Sequence, residues 1–264
     1  VTKLPEYFVT VFRHLGVTNP VQLIDAPVTV AELIVPQDLC NLHRRPSVTP
    51  AFAQWLTDRR PAVTPDPDLR LYVSRSGLDP SRGQYLEERS LEAALEAEGY
   101  RIVRPEAMPI DSQIDLYLRA GRLIFADGSA VHLWSLFGHP DQRAAMILRR
   151  PPDRHMQRWF DGLPGLNLTV HDHRIADFSH RGGPSGKSAA LLDLRALWAD
   201  LRQADYHRST ADLGRPRADL DHWVAAMQGG KRALNALPFD LDDHSRALLA
   251  SRPRARPSRP GFSP

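Results

Sequence analysis

Four short apolar runs, separated by stretches of helical periodicity, dominate the centre of the chain: LRLYVS at 69–74, YRIV at Tyr100–Val103, LIFA at 123–126 and AAMIL at 144–148. Runs of this length read as strands. After the first, residues 87–98 place Leu91, Ala94 and Leu95 on one helical face, and Gly99 is a stop. After the second, Asp111 is suited to cap a helix carrying Ile114, Tyr117 and Leu118, with Gly121 as its end. After the third, Gly128 and Ser129 open a helix that reaches Phe137. Each helix must carry the chain back along the sheet, so strands connected this way run parallel. The expected fold is α/β, a Rossmann-like parallel sheet with helices on both faces. Ligands of such sheets bind outside the carboxyl ends of the strands.

The flanks are less regular. A helix is expected from Glu6 to Leu15, stopped by Gly16, then short extended pieces at 21–24 and 28–35, then a helix opened by Pro50. Residues 60–68 (RPAVTPDPD) hold three prolines, which interrupt regular structure and mark a boundary. Residues 1–60 thus read as the remainder of an amino-terminal α/β portion, 61–68 as a Pro-rich linker and 69–205 as the main sheet domain. Leu168–Val170 is expected as a further short strand. Residues 188–201 carry Leu191, Leu194, Leu197, Trp198 and Leu201 at helical spacing. A helical extension is expected over 206–247, with a helix at 219–227, and a disordered basic tail over 248–264.

Composition narrows the class. The only cysteine is Cys40, so no disulfide forms within the chain, and a reducing, cytoplasmic setting is expected. No Cys/His cluster has zinc-ligand spacing. No apolar stretch is long enough to span a membrane, and no signal-peptide pattern is present. The formal charge is +3, with much of the excess in RPRARPSR at 252–259. A basic run confined to a tail, without interleaved aromatics, does not indicate nucleic-acid binding. A chain that opens on Val1 reads as part of a longer protein.

The strand ends supply the candidate chemistry. Arg75 follows the first strand and Arg82 lies seven residues on, so two forked donors can address one pyrophosphate. The third strand runs into Asp127-Gly128-Ser129-Ala130, a small-residue turn whose free amides, at a helix start, suit a phosphate. His132 lies one turn into that helix. Asp127 serves either as a cap or as a general base. Glu106, after Pro105, faces the same crevice or is solvated. Two look-alikes are set aside. In GGPSGKS at 182–188 a phosphate-cradling loop would need glycine where Arg181 stands, so an exposed loop is expected. Asp66-Pro67-Asp68 has the Asp-x-Asp form but sits among linker prolines, where a solvated turn is expected.

Taken in order, these pieces resemble glycosyltransferase family 61, whose members include capsular-polysaccharide-biosynthesis proteins. The resemblance runs from about Val30 to Phe137 through Leu33-Ile34-Val35-Pro36, Leu71-Tyr72-Val73-Ser74-Arg75, Arg82, Leu86-Glu87-Glu88, Gly99-Tyr100-Arg101-Ile102-Val103, Pro105-Glu106, Gln113, Ala120 and Asp127-Gly128-Ser129-Ala130. It implies a two-domain GT-B architecture and inverting, metal-independent transfer from a nucleotide sugar to a glycan or other hydroxyl acceptor, in a bacterial-type setting. Arg75, Arg82, Gln113 and Gly128 match family positions, and with Ser129 and Ala130 they form the implied donor site. No cofactor is implied. Asp127 stands where many members have histidine, and Glu87 where many have asparagine. The acceptor base is Asp127, His132 or Glu106. The alternative is a degenerate, non-catalytic nucleotide-binding domain of the same fold.

Overall fold

The computed structural model describes residues 5–34, 48–79, 82–151, 154–163, 165–180, 189–214 and 232–236. The central alternation forms a five-stranded sheet of β1 (Asp66–Val73), β2 (Tyr100–Val103), β3 (Ala120–Ala126), β4 (Arg143–Ile147) and β5 (Leu168–His171), in spatial order 2-1-3-4-5. Every neighbouring pair is parallel, as the strand–helix alternation requires. The crossovers are α3 (Glu88–Ala97), α4 (Ile110–Arg119), α5 (Ala130–Phe137) and α6 (Arg154–Asp161).

Successive strand residues point to opposite faces, and both faces are covered. Leu71, Val73, Leu123, Phe125, Ala144 and Met146 share one core with Ile114, Tyr117, Val131, Trp134 and Phe160. Leu15 of α1 (Glu6–His14, which this leucine follows) and Leu56 of α2 (Pro50–Thr57) join the same core. Tyr72, Ile124, Ala145 and Ile147 face the other core, against Leu91 and Leu95 of α3 and Leu194, Leu197 and Leu201 of α7 (Leu194–Gln203). The inner strands β3 and β4 are mostly apolar and buried because neither of their faces meets water, whereas β1, β2 and β5 keep exposed residues. Gln142, 3 % exposed, closes the edge of the first core by donating from Nε2 to the Tyr117 and Ala120 carbonyls at 2.6 and 2.7 Å.

Several expectations are corrected. Asp111 does not cap α4, which starts at Ile110 after Pro109; its carboxylate instead accepts from Arg13 and contacts His14, each at 2.6 Å. Gly121 lies inside β3, and Ala120 is where α4 ends. A Cβ on Gly121 would come within 2.5 Å of the Asp66 carbonyl oxygen and 2.7 Å of Pro67 Cα, so glycine is required by the close approach of β1. Residues 21–34 form no strand, and Ile24, Val28, Leu33 and Ile34 are exposed; Val35 lies outside the described residues.

The run at 188–201 is not one helix. Ala189–Leu192 is a strand, β7, and α7 starts only after Asp193, whose side chain accepts from the Ala196 amide at 2.9 Å. A four-residue apolar run fits helix or strand equally by periodicity, and the Asp193 cap fixes the boundary. β7 pairs antiparallel with β6 (Arg174–His180), which also pairs with β8 (Arg232–Ala236). The expected helical extension over 206–247 therefore contains a strand, and residues 206–214 are irregular. The glycine-rich segment 182–188, the helix at 219–227 and the tail lie outside the described residues. Among the described residues, no helix is long and apolar enough to cross a membrane.

Candidate active site

The strand order reverses between β1 and β3. From β1 the chain crosses to β2 on one side, and from β3 to β4 on the other. At such a switch point the two departing loops separate and leave a crevice at the carboxyl edge. Arg75 leaves the end of β1 and Gly128 the end of β3, so the topology itself brings them together.

Their approach is close. A Cβ on Gly128 would lie 2.3 Å from Arg75 Nη1. The rest of the guanidinium is held from behind: Nη2 donates to the Arg82 and Gly83 carbonyls at 2.7 and 3.2 Å, and Nε donates to the Gly83 carbonyl at 3.3 Å. Two donors fix the loop, and Nη1 is turned towards the Gly128 backbone. Arg82 thus contributes its carbonyl to this arrangement, while its side chain is exposed and does not line the crevice.

The crevice opens into a cavity of about 790 Å³. Arg75, Glu106, Gln113, Gly128, Ser129, Ala130 and His132 line it, with Tyr7, Phe8 and Phe12 of α1 and Phe52 and Trp55 of α2 forming an aromatic wall. Gln113 is buried and donates from Nε2 to the Pro105 and Met108 carbonyls, at 2.8 and 3.0 Å. It thereby holds the short 3₁₀ turn Pro105–Ala107 that carries Glu106. The Glu106 carboxylate lies over Gly77, where a Cβ would meet Oε1 at 2.0 Å. His132 is exposed on α5.

Asp127 differs from the other candidates. It is fully buried and does not line the cavity. Its Oδ2 accepts from Arg150 Nε at 3.1 Å and from the Arg149 amide at 3.4 Å. Its own amide donates to the Tyr85 hydroxyl at 2.7 Å, and that hydroxyl donates to the Ile147 carbonyl. Tyr85 therefore staples the ends of β3 and β4, and burial pushes its phenol well above the usual range. Asp127 is in a position to set the Gly128 turn, and an acceptor in the cavity has no access to it.

Beneath Arg75 lies a polar network absent from the sequence reading. Glu88 Oε1 accepts from the Arg75 amide at 2.8 Å, the Tyr72 hydroxyl at 3.0 Å and the Ser74 hydroxyl at 3.1 Å. Glu92 accepts from the Ser76 hydroxyl at 2.6 Å and, on its other oxygen, from Arg104 at 2.7 Å. Burial raises the Glu88 carboxyl, against the bonds from Arg75, Tyr72 and Ser74 that pull it down. The network fixes the backbone from which Arg75 projects. It had a signal in the sequence: Glu88 and Glu92 share the buried face of α3 with Leu91 and Leu95, and carboxylates on an apolar face need partners.

Asp66-Pro67-Asp68 is exposed at the amino end of β1, the edge away from the crevice, with Asp66 Oδ1 accepting from the Asp68 amide at 2.9 Å. No curated protein matches the chain significantly. A family model described as Glycosyltransferase 61 matches residues 4–144, just over half of the chain. The match takes in α1, α2, the β1/β3 switch point and every candidate residue named above. A switch-point crevice with an arginine against a glycine turn is the kind of site such a family needs, and the chain belongs to glycosyltransferase family 61.

Proposed function

We propose that the chain transfers a sugar from a nucleotide-sugar donor to a hydroxyl of a glycan or similar acceptor, with inversion at the anomeric carbon and without an essential metal. The observation that carries this reading is the Arg75 guanidinium held against the Gly128 turn at the carboxyl ends of β1 and β3. In the reaction the acceptor oxygen forms a bond to the anomeric carbon while the bond from that carbon to the diphosphate oxygen breaks. The electron pair leaves with the diphosphate, and the acceptor proton goes to a base. Arg75 and the free amides at the start of α5 supply positive charge where the departing diphosphate develops its negative charge. Arg82, exposed on the loop that Arg75 grips, is proposed to reach the same diphosphate. Glu106 and His132 line the cavity and are the two bases with access to an acceptor. Asp127 is assigned to positioning the turn.

The implied GT-B arrangement places the acceptor between two lobes. Residues 1–60 are proposed as the remainder of the amino-terminal lobe, whose helices α1 and α2 pack into the core of the donor-binding domain 69–205. The aromatic residues of α1 and α2 that line the same cavity as Gly128 support an acceptor or donor sugar stacked there.

A second reading, nucleotide binding without turnover, is favoured by one observation: the residue standing at the family's histidine position, Asp127, is fully buried, paired with Arg150 and off the cavity lining. One experiment separates the two. Nucleoside diphosphates and nucleotide sugars are screened by thermal shift, and the strongest binder is offered with saccharide acceptors. Arg75→Ala is expected to weaken the binder by about ten- to a hundredfold, the loss of one charge-assisted contact, with partial rescue by Arg75→Lys. Undiminished binding in Arg75→Ala overturns the site. Binding without turnover, with Glu106→Gln and His132→Ala indistinguishable from the parent, establishes the second reading.

A further inference from the structure

On the opposite face of the sheet, His171 Nδ1 and His173 Nε2 converge on one oxygen, Oδ2 of Asp200, at 2.8 and 2.7 Å. Among the described residues this is the one group of three such side chains whose ligand atoms all lie within 4.8 Å of each other. We infer that His171, His173 and Asp200 form a binding site for a zinc-type divalent transition-metal ion, which ties the β5–β6 turn to α7.

Two imidazole nitrogens and one carboxylate oxygen are the donor set that borderline metals prefer over magnesium or calcium, whose ligands are oxygens. Both nitrogens now address the same oxygen, so each must spend a proton there. One dication can replace both protons and hold all three ligands. The set carries one negative charge and leaves room for water as a fourth ligand. His171 is 2 % exposed, His173 22 % and Asp200 40 %, so the group is anchored on one side and open to solvent on the other.

The ligands are also held before any ion arrives. The His171 carbonyl accepts from the Leu148 amide at 2.9 Å, and the His173 carbonyl from the Asp193 amide at 2.8 Å. Between them, Asp172 takes a forked pair from Arg174, Nε to Oδ1 and Nη2 to Oδ2, each at 2.7 Å, which keeps that arginine's charge on its own partner. Asp193 caps α7, the helix that presents Asp200, so one residue links the turn to the helix. No spacing template finds this group, because 27 residues separate His173 from Asp200. None of the three residues lines the cavity, so the ion is structural and separate from the proposed transfer chemistry.

The test is calorimetric titration of Zn²⁺ into the full 264-residue chain, after chelator treatment and desalting. One equivalent is expected to bind, and Zn²⁺ to raise the melting temperature by mass action. His173→Ala and Asp200→Asn change the more exposed ligands, so the fold survives, and each is expected to weaken binding by at least about tenfold. His139→Ala, which removes a histidine elsewhere, leaves it unchanged. Co²⁺ is expected to give visible ligand-field absorption in the parent and to lose it in both ligand variants. Dissociation constants weaker than on the order of 100 µM, or binding that persists unaltered in His173→Ala and Asp200→Asn, overturn the assignment. Chelation is expected to leave nucleoside-diphosphate binding intact; its loss on chelation would overturn the separation of this ion from the donor site. A failed donor screen leaves the Zn²⁺ result standing.

Discussion

Gly128→Ala isolates the Arg75–Gly128 contact from every other property of the turn. The new methyl would lie 2.3 Å from Arg75 Nη1, 3.3 Å from Cζ and 3.6 Å from Cδ. An unstrained contact needs about 3.5 Å, so the guanidinium must withdraw by about 1 Å. Gly128 is not among the glycines with positive φ, so alanine meets no backbone penalty there. It even gains about 0.4–1 kcal/mol by restricting the unfolded chain. The withdrawal shifts the guanidinium out of its bonding geometry with the Arg82 and Gly83 carbonyls, now at 2.7–3.3 Å. A hydrogen bond from a charged group is worth about 1.5–3 kcal/mol, and solvent at this partly exposed side chain reduces that. The net loss of stability is therefore about 1 kcal/mol, while diphosphate affinity falls by about tenfold or more because Nη1 no longer faces the turn. Thermal unfolding and calorimetric titration of the best nucleoside diphosphate read both effects. The contact predicts strong coupling: in an Arg75→Ala background, Gly128→Ala becomes neutral or slightly stabilising. If the glycine substitution costs the same with and without Arg75, the reasoning fails.

Four other outcomes are expected. Glu88→Gln raises the melting temperature near neutral pH. Burial lifts the folded-state pKa of Glu88 above its ordinary value of 4.5, so its contribution is fully present at low pH and is lost as pH rises through the raised pKa. The difference in melting temperature from the parent should shrink as pH falls towards about 4, and a difference that grows there contradicts the account. Gly121→Ala drives a Cβ into the Asp66–Pro67 backbone and should cost at least about 2 kcal/mol by chemical denaturation; a neutral effect contradicts the packing of β1 on β3. Glu87 stands at the N-cap position of α3 at φ 66 without a side-chain capping bond, so Glu87→Asn should stabilise by up to about 1 kcal/mol, and a melting temperature lower than the parent's contradicts it. Asp127→Asn breaks a buried pair with Arg150 and should cost roughly 3 kcal/mol; turnover lost with stability unchanged would return Asp127 to the role of base.

The sheet was legible because its signal is local. Tyr100–Val103 and the run at 123–126 are short apolar stretches bounded by glycine and polar residues, and the helices between them have clear faces. The arginine–glycine pairing was legible through topology, since parallel strands gather their carboxyl ends. What the sequence hid depends on contacts between distant segments. Arg75 spends two donors on the Arg82 and Gly83 carbonyls, and backbone acceptors leave no trace in side-chain identity. Asp127 is indistinguishable in sequence from an exposed base until it is seen buried and paired with Arg150, 23 residues away. Ala189–Leu192 misleads because four buried apolar residues have no period. Its role as a strand is decided by its antiparallel ladder with β6, supplemented by Gln84 and Leu86, whose backbones pair with Ala190. The zinc-type group was invisible for the same reason: its third ligand comes from another element.

The grip of Arg75 on main-chain oxygens bears on how such a site diversifies. A carbonyl is present whatever residue carries it, so position 82 can change its side chain without releasing the arginine. The exception is Gly83, whose φ of 80 restricts what replaces it. The hold on Arg75 is thus insulated from side-chain change in the segment that supplies it. A lineage with this scaffold can vary the side chain at position 82 while the placement of Arg75 against Gly128 stays fixed.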